Sequence, residues 1–122
     1  MDDKVIIAVA QIDSKIMQND ENLEKIISET KAAAKKGANL IVFPECALSG
    51  YVFSSREEAI PFMESIPGVS TERLITCCRE LGVYVIYGLL ERADDKCYNA
   101  AVLVGPEGLI GNKPPFYNPF IN

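Results

Sequence analysis

Three short apolar runs, KVIIAVA at residues 4–10, ANLIVF at 38–43 and VYVIYGLL at 83–90, are separated by two segments with helical spacing of their apolar residues. That alternation limits the possible folds more than any other feature of the chain. Runs this short and rich in β-branched residues read as strands buried on both faces. A helical crossover between consecutive strands makes them parallel neighbours in a right-handed unit. The first crossover carries Leu23, Ile26, Ile27, Ala33 and Ala34 on one face, can be capped by Asn19 or Asp20, and stops at Gly37 after a basic last turn. The second is interrupted by Pro61. Before it, Ser55 with Glu58 offers a capping box for a short helix. After it, Pro67-Gly68 makes a turn, and Ser70 caps a longer helix with Leu74, Ile75, Cys78 and Leu81 on one face, ended by Gly82.

The charged loop at 91–96 is short enough for a hairpin into a fourth strand at 98–104, so the α/β sheet is expected to be mixed and mainly parallel. GPEG at 105–108 turns the chain into a short strand at 109–110. The closing NKPPFYNPFIN holds three prolines and no periodicity, which rules out a helix and disfavours a central strand. Residues 1–112 are therefore expected to form the folded domain. Residues 113–122 are expected to be a proline-rich tail with no local structure, disordered or crossing to a second copy.

With 122 residues, 48% hydrophobic and 24% charged, the chain suits one globular domain. The net charge of -5 leaves no basic footprint for nucleic acid or anionic lipid, and Lys31, Lys35 and Lys36 read as a solvated helix face. No run reaches the roughly 18 apolar residues of a membrane span, and the N-terminus opens with acids rather than a basic leader. The expected location is cytoplasmic. Cys46, Cys77, Cys78 and Cys97 show no CxxC spacing and there is no His, which argues against a zinc site or a disulfide framework. At least one of Cys77 and Cys78 reads as a small core residue. The lack of His excludes a Ser-His or Cys-His pair within the chain.

Chemistry concentrates at residues 38–51, ANLIVFPECALSGY, where an apolar strand ends in Pro44 and hands over Glu45 and Cys46. Functional groups of open α/β sheets gather where parallel strands end. A carboxylate there, at least half buried against a cleft, is partly desolvated and suited to general-base work. A solvated loop acid or a helix cap is the competing reading, and the residues alone leave both open. Adjacent residues on extended backbone point to opposite faces, so Cys46 reads as a core thiol that does not meet Glu45. Gly105, Gly108 and Gly111 are spaced GxxGxxG, and Pro114-Pro115 forbid the helix a phosphate loop needs, so they read as turn glycines.

VAQID at 9–13, Asn22, GANLIVFPECALSGY at 37–51, Leu81-Gly82, Gly88, Tyr98-Asn99 with Ala101, and GPEGLIG at 105–111 resemble, in order and spacing, the nitrilase or carbon–nitrogen hydrolase superfamily. The resemblance implies an α-β-β-α sandwich, of which this chain is the N-terminal half. It also implies a Glu-Lys-Cys triad that cleaves a small amide, carbamoyl amine or nitrile through a thioester, with no cofactor and no metal. Glu45 falls on the general base. The expected YRKxHL-like segment reads GNKPPFYNPF here, which makes Lys113 the nearby candidate for the lysine. The chain stops before the family's nucleophilic cysteine, so the expectation is an amidohydrolase fragment inactive alone and assembling as a homodimer or higher oligomer. Two alternatives are a non-catalytic half-domain that pairs with itself or a partner, and a flavodoxin-like nucleotide or phosphate binder.

Overall fold

The computed structural model describes residues 4–50 and 53–117, with residues 112–117 described by backbone alone. The elements run β1 (Ile7–Val9), α1 (Asn19–Lys35), β2 (Leu40–Val42), α2 (Arg56–Ala59), α3 (Val69–Leu81), β3 (Tyr84–Ala93), β4 (Lys96–Gly105) and β5 (Gly108–Tyr117). They build one sheet in the order β1-β2-β3-β4-β5. The two helical crossovers make β1, β2 and β3 parallel, whereas the two tight turns that follow make β4 and β5 antiparallel. The sheet is mixed, as the connections require. The expectation that it is mainly parallel does not hold: the antiparallel part is the longer one, because β3, β4 and β5 have 10 residues each while β1 and β2 have 3.

Helices α1 and α3 pack on one face of the sheet. Leu23, Ile26, Leu74 and Cys78 meet Ile41, Val85, Tyr87, Val102 and Val104 there in one core. Alternate strand residues point the other way. Register aligns Val9, Val42, Ile86 and Leu103 in one row across that second face, with Ile7, Leu40 and Tyr84 in the next. No layer covers these rows among the described residues, and Ile7 and Val9 are 58% and 76% exposed. One helical layer on one sheet is half of a four-layer α-β-β-α arrangement.

Both long helices start earlier than their polar residues suggest. Helix α1 begins at Asn19 after Gln18, without a side-chain cap, and the Asn19 amide donates instead to the Phe62 carbonyl. Helix α3 is capped at Gly68, where Thr71 Oγ1 accepts from the Gly68 N–H at 2.6 Å. That frees Ser70 for the interior, where its hydroxyl joins Glu64 at 2.8 Å and the Tyr87 hydroxyl at 2.7 Å. Ser55 does cap α2, accepting from the Glu58 N–H, and the chain passes through a 3-10 turn at Ile60–Phe62 where Pro61 stands. Gly37 and Gly82 close their helices with φ of 96° and 68°. Cys77 and Cys78 are both core residues, and Lys31, Lys35 and Lys36 are exposed.

Strand β5 departs furthest from expectation. It runs through Pro114 and Pro115 to Tyr117, so residues 113–117 are strand rather than a structureless tail. Two conditions make this possible. β5 lies at the sheet edge, and the prolines fall at a register shift, with Lys113 opposite Ala101 and Phe116 opposite Asn99. A bulge at an edge strand is where missing N–H groups cost least. The remainder of the expected tail, 118–122, lies outside the described residues.

Segment 63–65 adds to the far end of β3 through a bridge between Glu64 and Glu91. Glu91 is buried, its Oε1 meets no partner among the described residues, and burial raises its carboxyl pKa. A raised folded-state carboxyl pKa means that Glu91 weakens the fold as pH rises from the unfolded toward the folded value. Glu91→Gln is therefore expected to be more stable than wild type at neutral pH. That advantage should vanish below about pH 4, where both forms are neutral. Urea titrations at the two pH values read the difference.

Candidate active site

β2 continues its pairing one residue beyond its end, with the Phe43 N–H donating to the Ile86 carbonyl at 2.8 Å. The chain then leaves the extended conformation. Residues 45–49 form a turn, with Cys46 in the left-handed region at φ 52°. The turn lies on β3, held by the Leu48 N–H donating to the Gly88 carbonyl at 3.1 Å. Only glycine fits beneath it. A Cβ on Gly88 would stand 2.5 Å from Cys46 N and 2.9 Å from both Glu45 Cα and the Pro44 carbonyl oxygen.

A cleft of about 210 Å³ opens beside this crossing, bordered by Pro44, Glu45, Ile86, Gly88, Asn99 and Ala101. Glu45 therefore does reach a cleft just past the C-terminal end of β2. It is exposed rather than half buried as expected. The Asn99 side-chain amide donates to Glu45 Oε1. Cys46 is 3% exposed and its Sγ lies 3.7 Å from Asn99 Oδ1. Burial first, and then the Glu45 carboxylate beside it, push the Cys46 thiol up to about 12, so it stays protonated at neutral pH.

The two neighbours thus do meet, through Asn99, contrary to the rule for extended backbone. The turn replaces the strand at that point and brings both side chains to one side. The reading of Cys46 as a buried thiol stands. No cysteine lines the cleft among the described residues. Lys113 is the backbone partner of Ala101, a residue of the cleft wall. Asn99 and Gly88 stand among the residues that carry the family resemblance, but the sequence assigned neither a role. A glycine inside an apolar strand run is a signal of close backbone approach, whereas nothing local marks Asn99 as the partner of a residue so distant in sequence.

A helix-covered sheet that carries an acid past the end of a parallel strand, over a small cleft, has the arrangement in which open α/β sheets gather functional groups. The chain belongs to the carbon–nitrogen hydrolase family, whose model matches residues 6–114. It is 41% identical over 108 residues to a nitrilase of Pyrococcus abyssi, covering 88% of this chain and 41% of that protein. To the omega-amidase NIT2 of Xenopus tropicalis it is 40% identical over 91 residues, or 74% of this chain and 32% of that one. An N-terminal amidase crystallised with a Gln-Val peptide superimposes with a TM-score of 0.76 at 31% identity, over 88% of this chain and 27% of the amidase. Nit3 of Saccharomyces cerevisiae shares the fold, with a TM-score of 0.78 at 21% identity. The chain spans less than half the length of these relatives. Among the described residues no helix is long and apolar enough to cross a membrane.

Gly88→Ala is expected to lift the 44–46 turn and lower stability by about 1–3 kcal/mol, the usual cost of overpacking. Gly111→Ala is the control, since a Cβ there meets nothing within 4 Å, and it should change the urea midpoint little.

Proposed function

We propose that these 122 residues are the base-bearing part of an amidohydrolase acting on a non-peptide carbon–nitrogen bond of a small amide, carbamoyl amine or nitrile. The observation that carries this reading is the position of Glu45, past the end of a parallel strand, at the mouth of a cleft and bonded to Asn99. The match of residues 6–114 to the carbon–nitrogen hydrolase family supports it. Glu45 takes the proton of a cysteine thiol supplied by sequence outside this chain. The thiolate attacks the substrate carbon, and the Lys113 ammonium stabilises the charge that develops there. For an amide, Glu45 returns the proton to the leaving amine as the C–N bond breaks. It then activates the water that cleaves the thioester. The organic steps need no metal or cofactor. Purified alone, the chain should not turn over amides or nitriles. Extended with the remaining sequence of a family member such as the Pyrococcus nitrilase, it should gain activity that Glu45→Gln lowers by about 100-fold or more. Hydrolysis by the isolated chain that disappears on Cys46→Ala would overturn the assignment.

The bare sheet face favours a second reading for the isolated chain. The rows Val9-Val42-Ile86-Leu103 and Ile7-Leu40-Tyr84 present contiguous apolar side chains to water. Burying apolar surface contributes roughly 25 cal/mol per Å², enough to draw two copies together sheet to sheet. Sedimentation at micromolar concentration should give at least twice the chain mass. Val42→Asp on this face should give a monomer. A wild-type monomer that unfolds cooperatively would contradict the pairing.

A further inference from the structure

We propose that Asn99 is a positioning residue that holds the Glu45 carboxylate in one orientation, and that the Cys46 thiol fixes which way Asn99 faces. The meaning of this for catalysis rests on Glu45 being the base. The amide of Asn99 lies between two groups of opposite hydrogen-bonding character. A carboxylate can only accept, and that of Glu45 receives the Asn99 Nδ2–H at Oε1. Cys46 is protonated, and its S–H donates to Asn99 Oδ1 across 3.7 Å. Turning the amide over would set oxygen against carboxylate and nitrogen against a thiol hydrogen, so a single orientation satisfies both neighbours.

Each member of this relay is placed by defined backbone. Asn99 belongs to β4, with Leu90 of β3 and Phe116 of β5 as its backbone partners. Glu45 and Cys46 are adjacent in the turn that Gly88 admits, and the left-handed φ of Cys46 brings both side chains onto the same amide. Among the described residues Oε1 is the engaged Glu45 oxygen, so Oε2 is the one to receive a proton. The residue types at these positions follow from the same chemistry. Aspartate at 99 would offer no donor to a carboxylate, and alanine at 46 would offer no donor to the amide. Cys46 thereby acquires a role in the site without being its nucleophile.

Nuclear magnetic resonance of the 15N-labelled 122-residue chain tests this without reading turnover. An inactive enzyme would leave the result unchanged, and a negative result would leave the general-base reading standing. In wild type, one Asn99 Hδ2 signal should lie downfield of ordinary side-chain amides and show a nuclear Overhauser contact to the Glu45 side chain. Glu45→Ala should return that signal to the ordinary position. Cys46→Ser, which keeps a donor, should preserve the downfield Asn99 signal and its contact to Glu45. Cys46→Ala should let the amide turn over, so that the downfield signal moves toward the ordinary position and its contact to Glu45 weakens, with the β3 backbone resonances reporting that the fold is intact. An ordinary Asn99 signal with no contact to Glu45 in wild type would overturn the first link, whether or not any variant folds. Identical Asn99 signals in Cys46→Ala and Cys46→Ser would overturn the second.

Discussion

Above β3 the chain crosses itself, and it can do so only because residue 88 has no side chain. The turn at 44–46 rests on Gly88 closely enough that a Cβ would stand 2.5 Å from a backbone nitrogen. Interiors packed to crystal density have no slack to absorb such an overlap. Everything that distinguishes the site depends on that crossing. It ends the pairing of β2 with β3, sets Glu45 at the cleft and brings Cys46 beneath the same asparagine.

The rest of the sheet supplies the base on which this crossing stands. Ile41, Val85 and Val102 are fully buried between the strands and the two long helices, so β2, β3 and β4 form a stiff floor. Sites carried by strands hold geometry better than sites carried by loops. Here the acid is on a turn, but the turn is bonded to β3 and its carboxylate to β4. Among the described residues no second layer covers the opposite sheet face, and Glu45 is exposed.

Much of this was legible in the sequence because local signals and tertiary demands agree. Apolar runs separated by helical periods gave parallel pairing of β1, β2 and β3, and the short polar turn after β3 gave a hairpin. Ser55 caps its helix as its spacing indicates. Three features were not legible, each for a physical reason. Ser70 reads as a cap, yet a buried partner, the Tyr87 hydroxyl, competes for it, and Thr71 serves the helix end instead. Pro114 and Pro115 read as the end of structure, yet an edge strand with a bulge tolerates them. Asn99 carries no mark of its contact with Glu45, because the pairing comes from the register of β3 against β4 and the crossing at Gly88. Tyr51, part of the motif that pointed to the family, lies outside the described residues.

The most direct measurement of the central claim is a crystal structure of this chain extended with the remaining sequence of a family member and trapped as the acyl thioester. The account predicts Glu45 Oε2 within about 2.6–3.2 Å, hydrogen-bond reach, of the water or leaving group at the acyl carbon, with Asn99 still donating to Oε1. An acyl group bound on the far side of the sheet, with the Glu45 carboxylate turned away from it, would contradict the account.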